Sequence, residues 1–74
     1  MENTGWNYRI VEFVDFGEKL LEIRRAYYDK DGNVDAVAQE AADVFSEDLE
    51  GLAWTMDMMK KALDKPILKY SDFE

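Results

Sequence analysis

The first part of the chain alternates apolar and polar residues with the period of two that is typical of β-strands. In residues 6–14 aromatic and β-branched side chains dominate, and Trp6, Tyr8, Ile10 and Val14 share one face, with Val11 and Phe13 on the other. Residues 20–28 alternate similarly, although their Leu, Glu and Arg also suit a helix. Turn signals at 15–18 and, as Asp-Lys-Asp-Gly-Asn, at 29–33 favour a β-hairpin over that helix.

Residues 34–45 fit two patterns. Val34, Val37, Ala38 and Ala41 have helical spacing, whereas the first four residues, 34–37, also suit a third strand that pairs after the turn. A two-stranded sheet is poorly stable alone. We therefore expect a short third strand followed by a loop.

Residues 46–63 have the strongest helical pattern. Ser46 is the expected N-cap, acidic residues follow it in the first turn, and Lys60 and Lys61 lie near the end, where each charge suits the helix dipole. Pro66 follows, as it commonly does after a helix. One apolar stripe is expected to face the sheet, formed by Leu49, Leu52, Ala53, Met56, Met59 and Leu63.

These elements predict a single small α+β domain over residues 1–74. Its small antiparallel sheet, a hairpin plus a third strand, is packed by one amphipathic helix. Residues 66–68 read as an extended tail that covers a sheet edge, and residues 1–5 and 70–74 as frayed ends.

Composition narrows the chemistry. The 74 residues include no Cys and no His, which excludes disulfides, thiol chemistry, imidazole catalysis and most zinc sites. We find no Gly-rich phosphate loop and no nucleophile with a partner base, so we expect no enzyme activity and no cofactor. No apolar run approaches the roughly 20 residues of a membrane span, and the polar start lacks signal-peptide features, so a cytoplasmic protein is expected.

The charge is concentrated in one contiguous segment. The net charge is −8, and residues 26–59 account for all of it with nine acids against the single base Lys30. We call this segment the acidic block; its acids are Asp29, Asp31, Asp35, Glu40, Asp43, Glu47, Asp48, Glu50 and Asp57. An acidic surface repels nucleic acid and attracts basic protein surfaces.

The acidic block suggests a partner-binding face. The acids expected to form it are Asp35, Glu40, Asp43, Glu47, Asp48, Glu50 and Asp57. Trp54 and Met58 lie beside the predicted apolar stripe and are candidates for an apolar anchor. The expected partner is a basic protein surface, such as that of a nucleic-acid-binding complex, without direct binding to nucleic acid or membrane. The alternative is a small structural or regulatory interaction module that pairs through Trp54, Met58 and the helix face, for example as a homodimer.

A calcium loop is the third candidate. Counted from Asp29, oxygen ligands stand at positions 1, 3, 5 and 12 of an EF-hand pattern, supplied by Asp29, Asp31, Asn33 and Glu40. Val34 stands at position 6, where the loop needs Gly, and Ala36 replaces the usual β-branched residue at position 8. A hairpin turn without metal is therefore favoured.

Four strings in this order resemble a group of short, uncharacterised bacterial and mobile-element proteins: Trp-Asn-Tyr-Arg-Ile at 6–10, Tyr-Tyr-Asp-Lys-Asp-Gly-Asn at 27–33, Asp-Leu-Glu at 48–50 and Ala-Leu-Asp-Lys-Pro-Ile-Leu at 62–68. The resemblance implies a β-rich first half with one amphipathic helix, and it assigns no known activity to residues of this chain. Residues 34–45 depart from it, with alanines where a Trp- or Pro-containing strand and loop is expected. The functional hypothesis is a non-enzymatic binding protein, in its sharpest form an anti-defence inhibitor of the anti-CRISPR type.

Overall fold

A long β-hairpin forms the centre of the fold. The computed structural model describes residues 5–73, in which β1 (Trp6–Asp15) and β2 (Glu18–Tyr28) pair antiparallel along their full length, from Trp6↔Tyr27 to Asp15↔Glu18. Beyond the strand end, the Tyr28 amide donates to the Gly5 carbonyl over 2.9 Å. The predicted hairpin is confirmed, and the helical alternative for residues 20–28 is wrong.

Two shorter strands extend the hairpin into a sheet of order β3-β2-β1-β4. As predicted, β3 (Val34–Val37) pairs antiparallel with β2, and the chain then continues as a loop. The tail covers a sheet edge as expected, since β4 (Leu68–Lys69) lies beside β1. That pairing is parallel, so the sheet is mixed rather than antiparallel, because the chain crosses over through a helix before it returns.

The far end of the hairpin extends past its neighbours. β4 pairs with β1 only at Val11 and Glu12, and the last backbone bond received by the outer edge of β2 goes from Ala42 N to Ile23 O. Apolar side chains are exposed along this end, namely Val14, Leu20 and Leu21. The radius of gyration is 13.2 Å, against roughly 11 Å for a compact chain of this length.

The turn at the tip of the hairpin is of the tight two-residue kind. Phe16 and Gly17 both have positive φ, at 52° and 81°, as a type I′ turn requires to match the strand twist. Glycine adopts this backbone freely, whereas a bulky L-residue is strained there. The Phe16 side chain is 98% exposed, so no packing offsets that strain.

One side of the sheet packs against helix α1 (Leu49–Lys61) and the single 3₁₀ turn Ala62–Asp64 that follows it. The buried cluster joins Tyr8 and Ile10 of β1 to Met59 and Ala62, and partly buried side chains surround it: Ile23, Ala42 and Met58. Burying this apolar surface is the main stabilising contribution on this side of the sheet. The α+β class with one packed amphipathic helix is confirmed.

The side of the helix that faces the sheet matches the predicted stripe only in part. Its buried residues are Thr55 and Met59, followed by Ala62 in the 3₁₀ turn. Of the predicted stripe, Met59 is buried and Leu52 is half-buried, whereas four members are exposed, namely Leu49, Ala53, Met56 and Leu63. The apolar arc of this helix is wider than the narrow sheet can cover. Ala62, which has a small side chain, joins Met59 in the cluster with Tyr8 and Ile10.

Two arginines define the opposite side of the sheet. Arg9 and Arg24 are register partners on β1 and β2, and both are buried. The Arg24 guanidinium donates to Glu22 Oε1 through Nε at 2.9 Å, lies 2.8 Å from it through Nη2, and donates to the Ala38 carbonyl at 3.0 Å. The guanidinium carbon Cζ of Arg24 lies 5.2 Å from the centre of the Phe13 ring and 4.9 Å from the centre of the Tyr70 ring.

Arg9 ties the end of the chain to the same side. It donates to the Tyr28 hydroxyl and to the Pro66 carbonyl, each over 2.7 Å. Tyr70–Phe73, predicted to fray, forms a 3₁₀ turn that packs on β1 and β3. The remainder of the predicted frayed ends, residues 1–4 and 74, lies outside the described part of the chain.

Replacing the strained turn residue is expected to stabilise the protein. The substitution Phe16→Asn creates the Asn-Gly pair preferred in type I′ turns and should raise the free energy of unfolding by roughly 0.5 to 1 kcal/mol. Urea denaturation measures it. Gly17→Ala is the control, and it should destabilise because a Cβ is disfavoured at this φ; a Phe16→Asn variant no more stable than the parent contradicts the strain.

Even the conservative replacement of Arg24 by lysine is expected to destabilise the protein. Arg24→Lys loses the planar fork and both ring stackings and should lower the free energy of unfolding by about 2 kcal/mol. The adjacent Arg25 is exposed, and its guanidinium carbon lies 5.3 Å from the centre of the Trp6 ring. Arg25→Lys is therefore the matched control, with an expected cost below about 1 kcal/mol. Equal decreases in the free energy of unfolding in the two variants would show that the contacts of the buried Arg24 contribute no more to stability than those of the exposed Arg25.

Candidate functional site

The acidic block remains uncompensated after folding. Its carboxylates are exposed except that of Asp29, which is half-buried. Within residues 5–73 the ion pairs are Glu12 with Lys19 and Glu22 with Arg24, and both lie outside the block. The negative charge of the block therefore faces solvent rather than cations of the same chain.

Asp29 has a structural role in the turn between β2 and β3. Its Oδ1 accepts hydrogen bonds from the backbone amides of Asp31 and Asn33, at 2.9 and 3.0 Å. Gly32, with φ of 85°, closes the turn. Carboxylates that hold backbone amides in this way are a standard turn device.

This geometry argues against the calcium alternative. The loop is flanked by strands rather than by the two helices of an EF-hand, and Glu40 lines a different depression from Asp29 and Asp31. Among residues 5–73 no three acidic side chains form a group that would hold a metal ion. The segment that holds Asp29, Asp31 and Asn33 forms a turn between two paired strands, as the hairpin interpretation predicts.

Asp48 also has a local role, as the helix N-cap. Its Oδ1 accepts from the Gly51 amide over 2.7 Å, so the predicted cap Ser46 is wrong. The helix starts at Leu49, later than predicted, because Asp48 adopts the extended backbone of a cap residue. Gly51 leaves room for the Ser46 hydroxyl, since the Ser46 Oγ occupies the place that a Cβ there would take.

The loop after β3 brings two of the predicted acids together. Glu40 and Asp43 line one shallow depression, together with Arg25 of β2 and the exposed Phe45. Backbone bonds from Ala38 and Ala42 to β2 hold this loop along the sheet edge. The loop therefore lies along the outer edge of β2, with the exposed carboxylates of Glu40 and Asp43 beside that edge.

A second depression lies on the helix. Trp54, 55% exposed, lines it with Met58, which also packs against the buried cluster. Asp57 is the acid of the block that lies there, and Lys60, Lys61 and Asp64 complete the lining. The predicted apolar candidates therefore do share one surface, with a mixed charge around them.

The predicted face is thus distributed over several elements. Asp35 lies on the edge strand β3, Glu40 and Asp43 lie on the loop, and the remaining predicted acids, Glu47, Asp48, Glu50 and Asp57, lie at the start of the helix and along it. Of the nine acids of the block, Asp29 and Asp48 have the structural roles described above. The other seven have no described partner within residues 5–73.

Sequence reasoning missed a row of apolar residues on the exposed side of the helix. Leu49, Met56 and Leu63 recur every seven residues, and their exposed fractions are 82%, 56% and 68%. An acid follows each of them directly in sequence: Glu50, Asp57 and Asp64. The signal was present as this seven-residue repeat, but the apolar residues were assigned to the core.

Two further findings concern similarity to known proteins and the character of the helices. No protein-family model, curated protein or solved structure matches the chain. Within residues 5–73, no helix has the length and apolar character needed to cross a bilayer.

The two candidate caps are separable by mutation. Asp48→Ala should lower the free energy of unfolding by about 1 kcal/mol, because the Gly51 amide loses its acceptor. Ser46→Ala, two residues earlier, should have a smaller effect, within about 0.5 kcal/mol. Thermal unfolding monitored by circular dichroism compares them. A larger loss for Ser46→Ala would place the cap at Ser46 instead.

Proposed function

We propose that this protein is a non-enzymatic binding protein whose acidic block engages a basic protein surface. The observation that carries the proposal is the exposure of seven acids without a described cation partner within residues 5–73. Uncompensated charge of one sign speeds the encounter with an oppositely charged partner. A partner that supplies lysines and arginines would neutralise the block.

The sharper form of the proposal is an anti-defence inhibitor of the anti-CRISPR type, which occupies a surface that normally binds nucleic acid. In such a complex, carboxylates take the positions of phosphates. The small size, the charge of −8 and its confinement to one chain segment support this form. Proteins that bind nucleic acid depend on clustered lysines and arginines, which are the groups that the block would attract.

The chemistry of the exposed acids agrees with a binding role. Paired-carboxylate catalysis needs two acids at a fixed separation inside a cleft. Here Glu40 and Asp43 lie on a loop in a shallow depression, and Asp57 lies among lysines on the helix. We therefore propose binding without catalysis.

Competition with nucleic acid tests the proposal. Immobilised protein should retain basic nucleic-acid-binding proteins from a bacterial lysate at low salt, and added DNA or RNA should release them. The retained complex should weaken steeply as salt rises, since exposed charges are screened within about 10 Å at 0.1 M ionic strength. Quantitative mass spectrometry of the eluates measures both effects.

A charge-matched pair of variants provides the control. Glu40→Gln, Asp43→Asn and Glu47→Gln together change the net charge from −8 to −5, since three charges are removed. Asp15→Asn, Glu18→Gln and Asp72→Asn make the same change outside the block. The first variant should lose the captured proteins and the second should retain them. Capture that ignores salt, nucleic acid and the first variant refutes the proposal.

A further inference from the structure

Helix α1 and the 3₁₀ turn that follows it expose the apolar row Leu49, Met56 and Leu63, of which the first two lie on the helix and the third lies in the turn. Seven residues span nearly two helical turns, so neighbouring members stand about 10.5 Å apart along the axis and the row is about 21 Å long. Isolated exposed apolar residues are ordinary on protein surfaces, whereas an aligned row resembles one strip of a helix–helix contact. The helix thus has apolar residues for two contacts, of which the sheet provides one.

An acidic row runs beside the apolar one. Glu50, Asp57 and Asp64 each directly follow a member of the apolar row, and all three are exposed. Residues 46–64 contain five acids and two lysines, a net charge of −3. Lys60 and Lys61 lie at the end of the helix, so its start is the more acidic half.

We propose that this face docks an amphipathic helix of a partner protein that presents leucine-like side chains flanked by lysine or arginine. This inference rests on the proposed function and names the structure that its basic partner would present. Charge complementarity selects this occupant, because residues 46–64 carry a net charge of −3 and their only two bases, Lys60 and Lys61, lie beside the last part of the row. A second copy of the chain would instead bring two chains of net charge −8 together, with an acidic row on each.

The probe is a fluorescently labelled synthetic peptide. It has about 18 residues, enough to cover the row as a helix, with leucines at a and d positions and lysines beside them. A second peptide has the same composition in scrambled order, and a third has glutamates in place of the lysines. Fluorescence anisotropy measures the affinity of each for the full chain, and sedimentation velocity measures self-association.

Two variants locate the binding face. Met56→Gln should lower the affinity for the first peptide at least about tenfold, since it places a polar group at the middle of the row. Leu21→Gln is the matched control, because Leu21 is 55% exposed on the hairpin against 56% for Met56. It should leave the affinity unchanged. Circular dichroism confirms that both variants keep the fold.

A charge exchange tests the complementarity directly. The combined variant Glu50→Lys, Asp57→Lys and Asp64→Lys should lose the lysine peptide and gain affinity for the glutamate peptide by about tenfold or more. A purely structural role for these acids would not produce this reversal of preference.

The outcomes separate the inference from the proposed function. Preference for the amphipathic lysine peptide over the scrambled one, together with loss in Met56→Gln, supports docking. Equal binding of both lysine peptides overturns docking and leaves the acidic block as the binding element. No peptide binding, or self-association that Met56→Gln abolishes, also overturns docking, while the capture experiment decides the proposed function independently.

Discussion

Burial of the Arg24 guanidinium is the constraint on which the two sides of this sheet depend. A charge in the interior is costly unless it is paired and hydrogen-bonded. Arg24 meets that need with Glu22 on its own strand, the Ala38 carbonyl after β3, and the rings of Phe13 and Tyr70. One side chain thereby connects the hairpin, the loop after the third strand and the end of the chain.

This arrangement explains how so few apolar residues hold the fold. The helix side buries Tyr8, Ile10, Met59 and Ala62, which is a small cluster for one helix on one sheet. The other side adds hydrogen bonds between segments that are distant in sequence, such as Arg9 with the Pro66 carbonyl. Polar contacts of this kind are directional, so they position β4 and the last 3₁₀ turn as well as stabilising them.

The hairpin was predictable because its signals are local. Alternation in residues 6–14 and the turn signals at 15–18 and 29–33 specify strands and turns without information from elsewhere in the chain. The parallel pairing of β4 was not predictable, since it depends on the crossover path of the helix. The burial of Arg24 depends on Tyr70, which is 46 residues away by residue numbering.

The candidate site shows the same division. That the acids would be exposed follows from their chemistry, but their distribution over strand, loop and helix required the fold. The side of the helix that faces the sheet was ambiguous because the apolar arc includes Leu49 and Met56 as well as Met59. In the structure Met59 is buried against the sheet together with the smaller Thr55 and Ala62. The spacing of apolar residues alone does not show that these positions, rather than the larger residues, face the sheet.

The far end of the hairpin, where β1 and β2 extend past β3 and β4, links the net charge of the protein to its tendency to associate with itself. Val14, Leu20 and Leu21 are exposed at the end of the hairpin where, within residues 5–73, neither β3 nor β4 pairs with its outer edges. Exposed apolar residues on an open strand edge are the combination through which β-proteins assemble edge to edge. Mutual repulsion between chains of net charge −8 keeps these ribbons apart at low ionic strength. Salt screens that repulsion, so the net charge also sets the ionic strength at which chains of this protein begin to associate through their strand edges.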